Sequence, residues 1–292
     1  MASTDRAVVV GIDGSPESRA ALTYAAELAA GRHLSLRVVC ALPEGHARDT
    51  WTDIVRRKLQ TDGEHLVADA VDEVRRDFPR LAIASEVVAG SAVAMLLHEA
   101  ELADTLVVGS RGAGGFTGLL LGSTALHVAT RARCPVVTVP TTDPTRPAGR
   151  RIVVAVDGSP QAQAAIEYAC RLADELSEPV LAVHAWNDPV QLSPAVLVPL
   201  DYQPLLLAEE QAGRLELAEA LAGWAEKFPS VTLEQRVVQG QPVHVILTEA
   251  AAARMIVVGS RGHGPVRSLL GSVSHGLLHH AAVPVAVVHT DR

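Results

Sequence analysis

Lysine is nearly absent. Of 25 basic residues in this 292-residue chain only Lys58 and Lys227 are lysines, and the rest are arginines. A Walker-type loop, Gly-x4-Gly-Lys-Ser/Thr, is therefore excluded, since neither lysine lies near a glycine-rich stretch. Cysteine is scarce too. Cys40, Cys134 and Cys170 are odd in number and form no CxxC, which argues against a disulfide framework and a thiolate zinc site. Each is expected to act as a small buried hydrophobe. No apolar run approaches the roughly 18 residues of a membrane helix. Met1–Arg6 passes straight into Ala7–Ile12, without the basic leader and long apolar core of a secretory signal. The expectation is a cytoplasmic protein with no membrane partner. Aromatic residues make up only 3% of the chain.

What is present is ample for packed cores: 48% of residues are apolar and 20% charged. The net charge of −8 removes the overall attraction for phosphate backbones, so no nucleic acid is expected as a partner. At about 100–200 residues per domain, the length suggests two domains.

Self-similarity sharpens that. Ala7-Val-Val-Val-Gly-Ile-Asp13-Gly-Ser-Pro16 returns as Arg151-Ile-Val-Val-Ala-Val-Asp157-Gly-Ser-Pro160, an offset of 144. Val107–Gly112 reappears identically at Val257–Gly262, now offset by 150. The extra residues of the second half are assigned to the Pro- and Leu-rich stretch 186–204. A period this long indicates a duplicated domain rather than a solenoid. Boundaries are read as 1–140 and 151–292, joined by a polar, proline-rich linker at 141–150.

Both halves share one grammar. Val8–Ile12 and Ile152–Val156 are short β-branched runs typical of strands buried on both faces. Ser15-Pro16 and Ser159-Pro160 then combine a serine N-cap with proline at the first helical position. Second strands are read at 36–41 and 180–185, and long amphipathic helices at about 49–77 and 205–227. Third strands at 82–88 and 232–238 lead through Gly90 and Gly240 into further helices. Fourth strands at 105–108 and 255–258 precede glycine-rich loops, and 136–139 and 285–288 close each half. Such alternation predicts an α/β fold of two repeated Rossmann-like domains, each an open five-stranded parallel sheet flanked by helices.

In such sheets ligands bind beyond the carboxyl ends of the strands, where the strand order reverses. The loop after strand one carries Asp13 or Asp157. The loop after strand four, Gly109–Gly122, is rich in glycine and runs into Ser123 and Thr124 at a helix start. Glycines let backbone amides crowd an anion, and the free N–H groups of a helix start favour negative charge. Polyphosphate is the natural ligand of that arrangement.

Gly109-x2-Gly112-x9-Gly122-Ser123, after an apolar strand and with Asp13 ending strand one, resembles the ATP-binding signature of the universal stress protein family. The resemblance covers nearly the whole chain and is to the tandem type. It implies ATP, with or without Mg²⁺, held between the loops after strands one and four. It also implies pairing of the domains within the chain and a homodimer. On this resemblance Gly11 and Asp13 lie near ribose and adenine, and Ala41 offers a backbone contact to adenine. Gly109 and Gly112 lie near the ribose and first phosphate; Gly122, Ser123 and Thr124 are the phosphate-binding end. The second-half counterparts are Ala155, Asp157, Ala185, Gly259, Gly262, Gly271, Ser272 and Val273. Arg111 and Arg261, within Ser-Arg-Gly of each loop, are either phosphate contacts or solvent-facing charges. The second loop departs from the pattern: eight residues rather than nine separate Gly262 from Gly271, and it contains Pro265 and Arg267.

No catalytic residue and no metal ligand is assigned. His275 and His279 have i, i+4 spacing, which suits two ligands on one helix face, but no third ligand accompanies them. The leading functional expectation is an ATP-dependent regulatory protein of the stress response. A slow ATPase or phosphotransfer enzyme and a nucleotide-free scaffold stand as alternatives, and fold alone does not separate them.

Overall fold

A computed structural model describes residues 6–43, 50–113, 121–141, 149–187, 203–262 and 270–290. The chain separates into two compact units, Met1–Asp143 and Pro144–Arg292. The linker residues 142–148 and most of the stretch 186–204 lie outside the described residues, as do Pro265 and Arg267.

The first unit contains β1 (Ala7–Ile12), α1 (Pro16–Gly31), β2 (Ser35–Leu42), α2 (Thr50–Asp77), β3 (Ile83–Ala89), α3 (Ala92–Glu99), β4 (Thr105–Gly109), α4 (Ser123–Arg131) and β5 (Val136–Val139). Its strands are all parallel and ordered β3-β2-β1-β4-β5. Val8, Val9 and Val10 pair on one side with Leu36–Val38 and on the other with Thr105–Val107. Helices cover both faces, which is why β1, β4 and β5 are aliphatic along nearly their whole length.

The second unit repeats this with β6 (Ile152–Ala155), α5 (Pro160–Leu176), β7 (Val180–Trp186), α6 (Gln203–Ala220), α7 (Trp224–Lys227), β8 (Leu233–Gln239), α8 (Pro242–Glu249), β9 (Met255–Gly259), α9 (Ser272–His280) and β10 (Val285–Val288). Its order is β8-β7-β6-β9-β10, again parallel. The chain thus has the expected fold class, twice.

Local chemistry explains the elements. Ser15 caps α1 by accepting the Ser18 N–H at 3.1 Å, and Ser159 caps α5 through Ala162 at 3.1 Å, each followed by proline. The helices bury small faces: Ala21, Ala25 and Ala29 in α1, and Ala162, Ala165, Ala169 and Ala173 in α5. Tyr168 is buried with them and Tyr24 is half-buried. All three cysteines are free and buried, as the sequence suggests.

One helix differs from expectation. The amphipathic pattern at 205–227 reads as continuous, yet α6 ends at Ala220 and α7 begins at Trp224. Gly223 lies between them at φ +81°, a left-handed conformation that interrupts the helix and that glycine adopts without strain. The break is held from outside. The Trp224 indole N–H donates to the Gln163 side chain at 3.3 Å, and the Gln163 amide donates to the Ala220 carbonyl at 2.9 Å.

Candidate functional site

In each unit the strand order reverses between the first strand and the fourth, β1/β4 and β6/β9. The connections leaving these two strands diverge to opposite sides, opening a crevice at their carboxyl ends.

In the first unit the chain leaves β1 at Ile12 and turns through Asp13. The Asp13 carboxylate accepts the Ser15 N–H at 3.0 Å and the Ser15 hydroxyl at 2.5 Å on one oxygen. Its other oxygen accepts the Ala113 N–H at 2.8 Å. Burial alone would raise the pKa of Asp13. The hydrogen bonds from the Ser15 hydroxyl, the Ala113 and Ser15 amides and Ser18 outweigh it and hold the group below its usual range. Asp13 is therefore ionised at neutral pH and pins the loop after β4 to the loop after β1. In the second unit Asp157 accepts the Ser159 N–H at 3.1 Å and the Ser159 hydroxyl at 2.6 Å.

The glycines have steric reasons. A Cβ on Gly109 would lie 2.7 Å from the backbone carbon of Glu17, and one on Gly259 would lie 2.9 Å from that of Gln161. A Cβ on Gly112 would meet the Asp13 carboxylate at 2.6 Å. Gly11 makes room for Leu96 of α3, whose Cδ2 would lie 2.8 Å from an added Cβ.

The Gly-Ser ends of the signature form helix starts. The Gly122 N–H donates to the Ser110 carbonyl at 2.7 Å, and the Gly271 N–H donates to the Ser260 carbonyl at 2.8 Å. Gly122 and Gly271 are the N-caps of α4 and α9, and neither helix has a side-chain cap. Ser123 and Thr124 open α4 as Ser272 and Val273 open α9, so their first-turn amides have no capping side chain to accept from them. A Cβ on either cap glycine would lie 3.3 Å from the Cα of Arg111 or Arg261. The shorter second loop is thus anchored at both ends as the longer one is. The difference of one residue falls between Gly262 and Leu270.

In the second unit these groups enclose a cavity of about 690 Å³. Ala155, Asp157, Ala185, Gly259, Arg261, Gly262, Gly271, Ser272 and Val273, the second-half residues singled out from sequence, all line it. In the first unit Ala41 sits near the end of β2, opposite Val88 of β3, as Ala185 sits opposite Val238. Sequence reasoning missed the apolar wall from α8, Pro242 and Ile246, and His275 of α9. The signal was available in the apolar residues following Gly240. A larger hollow, about 930 Å³, lies at the amino ends of β2 and β3 and receives neither loop of the crevice.

The two arginines part company. Arg111 forms an ion pair with Glu17 of α1 at 2.7 Å. Burial acts to raise the Glu17 pKa, but bonding to Thr141 and its own backbone and the charge and hydrogen bond of Arg111 hold it below its usual value. The position equivalent to Glu17 is Gln161, and the Nε of Arg261 is buried without a hydrogen-bond partner among the described residues. Along α9, the rings of His275 and His279 lie 4.5 Å apart. Burial, then the charges of His275 and His280, lower the basicity of His279. Among the described residues no cluster of three histidine, cysteine or acidic side chains is placed to hold a metal.

The sequence profile of the universal stress protein family matches residues 6–140 and again 149–289. The chain belongs to the universal stress protein family. A universal stress protein of Mycobacterium tuberculosis is 34% identical over 293 residues, covering 96% of each chain. One from Mycolicibacterium smegmatis is 32% identical over 298 residues, covering 98% of each. Among solved structures, a universal stress protein from Archaeoglobus fulgidus superposes with a TM-score of 0.68 over 98% of both chains. At 21% identity that likeness speaks for the fold. Tandem universal stress protein domains therefore account for the internal offset, and no described helix is long and apolar enough to cross a membrane.

Proposed function

We propose that each domain binds a nucleotide of the ATP type, and that the chain acts as a cytoplasmic, nucleotide-dependent regulator in the stress response. The observation that carries this reading is the cavity of the second domain. Its volume of about 690 Å³ suits a nucleotide-sized ligand. One wall is apolar, from Ile246, Val183 and Ala185, and suits a base; the other offers a carboxylate, backbone amides and a helix start. A purine, a sugar diol and a phosphate chain have that succession of chemistries.

Fit to the ligand is supported by the steric construction. The positions of Gly112, Gly122, Gly262 and Gly271 are ones where a Cβ would crowd Asp13, Asp157 or the loop backbone. Such close backbone approach presents N–H groups to an anion. The α-phosphate would lie by Gly112 or Gly262, and the terminal phosphates by Gly122-Ser123-Thr124 or Gly271-Ser272-Val273. Hydroxyls of Ser123, Thr124 and Ser272 are the groups available to a Mg²⁺ ion riding on the phosphates.

The chemistry favours binding over catalysis. Phosphoryl transfer requires a residue that aims the nucleophile. The carboxylates that follow the first strands, Asp13 and Asp157, are committed to Ser15 and Ser159 near the sugar position, and Glu17 is paired with Arg111. Nucleotide occupancy would instead bias conformation or association of the chain, including formation of a homodimer.

The test is direct. Purified protein is denatured and the released nucleotide is identified and quantified per chain by chromatography, with and without prior incubation in ATP. Retention of adenine nucleotide near two equivalents after incubation supports the reading. Absence of any retained nucleotide favours the nucleotide-free scaffold.

A further inference from the structure

The two crevices share a backbone plan but differ in charge beside the arginine. In the first, Gly109 meets the backbone of Glu17; in the second, Gly259 meets that of Gln161 in the same way. Glu17 and Gln161 therefore occupy equivalent positions in the first turn of α1 and α5, beside the loop that carries the arginine. Glu17 takes the Arg111 guanidinium at 2.7 Å, and its side chain is only 11% exposed. Helix α5 has no acidic residue in its first turn. Arg261 makes no ion pair among the described residues; its Nε is buried and lacks a hydrogen-bond partner, and the residue lines the cavity.

The closed-off Nε is not itself open to a ligand, but a guanidinium at the cavity wall whose charge no carboxylate among the described residues offsets attracts a phosphate, for which its terminal nitrogens are good donors. A guanidinium already neutralised by a neighbouring carboxylate gains less from a phosphate, because that carboxylate repels the same anion. Resting on the nucleotide-binding reading above, we infer that Arg261 makes the second domain's site selective for the phosphate chain. The first site, with Arg111 bound to Glu17, recognises mainly the nucleoside. The two domains would then answer to different ligands: the second to the charge state of the nucleotide, the first to nucleoside and nucleotide more evenly. A duplicated domain that keeps both sites but swaps Glu for Gln at one position has the means to separate those responses.

The experiment uses the full chain and titration calorimetry with ATP and with adenosine. Gly122→Val, which crowds the first helix start, isolates the second site; Gly271→Val isolates the first. The preference for ATP over adenosine is expected to be about tenfold larger at the second site, the size of one charge-assisted hydrogen bond. Arg261→Gln should erase that excess by weakening ATP binding far more than adenosine binding, and Arg261→Lys should recover part of it. Glu17→Gln should raise the ATP preference of the first site. Because a glycine variant can misfold, Arg261→Gln and the double variant Arg111→Gln/Glu17→Gln, which removes the first arginine together with its carboxylate, are also compared in the two-site chain. Only the former should weaken ATP binding. Equal losses from both, or an Arg261→Gln change shared by ATP and adenosine, would overturn the inference. Binding of neither compound to the wild-type chain would overturn the nucleotide reading, and the inference with it.

Discussion

The Ala113 N–H donates to Oδ2 of Asp13 over 2.8 Å, joining loops one hundred residues apart in the chain. Two connections that leave the sheet in opposite directions are held together by one carboxylate. That bond is stronger to the ionised carboxylate than to the neutral acid, and it is one of those that hold the Asp13 pKa down.

A pH dependence follows with a definite sign. Asp13 in the folded chain lies below its usual value of 3.8, so its contribution to stability is present above that value and is lost as pH falls through the lower folded one. Asp13→Asn should therefore lower the melting temperature near neutrality. The gap between variant and wild type should narrow as the pH drops below about 4. Thermal unfolding followed by circular dichroism across pH 3 to 7 checks this. A gap that widens in acid would contradict it.

Buried charge supplies a second prediction. Arg32 donates to Asp104 at 2.6 Å, with side chains 2% and 5% exposed. The second domain has a pair at the corresponding end of the sheet with the signs exchanged, Glu178 with Arg254 at 2.8 Å. Removing one member strands the other. Arg32→Ala should cost about 3–5 kcal/mol in chemical denaturation. Arg32→Glu combined with Asp104→Arg, which copies the order of the second domain, should recover part of it. A loss below 1 kcal/mol for Arg32→Ala would show that water reaches the pair.

The thiols give a third. Burial pushes the Cys134 thiol up to about 12 and the Cys170 thiol up to about 11. Cys40 is raised as well, by burial first and then by the Asp13 charge. At pH 8 a disulfide reagent such as Ellman's should find no rapidly reacting thiol in the native chain, and all three after denaturation. A fast native phase would identify an exposed thiolate and contradict this packing.

The steric role of Gly109 is the fourth. An added methyl would press on the Glu17 backbone, which cannot rotate away as a side chain could. Gly109→Ala should destabilise the chain by about 1–3 kcal/mol through overpacking. The substitution should also shift the first turn of α1, read as a loss of protection at the Ser18 amide in hydrogen exchange.

Most of the fold was legible because its signals are local and doubled. The Ser-Pro pairs mark helix starts, the β-branched runs mark buried strands, and the offset from Asp13 to Asp157 lets each half check the other. The strand–helix order then leaves few topologies, and the crevice follows from the reversal at β1 and β4. Legibility ended where a contact depended on facing side chains. Nothing in Ser110-Arg111-Gly112 alone says that its arginine reaches Glu17, and nothing in Gln161 says that Arg261 goes without. The helix break at Gly223 was hidden because an apolar pattern runs through it; it depends on Trp224 finding Gln163, a residue distant in sequence. The apolar wall from Pro242 and Ile246 carries no polar motif to mark it, and in sequence it reads like any other buried helix face.

The account rests on two nucleotide sites per chain. Titration calorimetry of the wild-type protein with ATP, together with Gly122→Val and Gly271→Val, tests it most directly. The predicted result is saturation at two equivalents for the wild type and one for each correctly folded variant. Heat indistinguishable from dilution in the wild-type chain would contradict it.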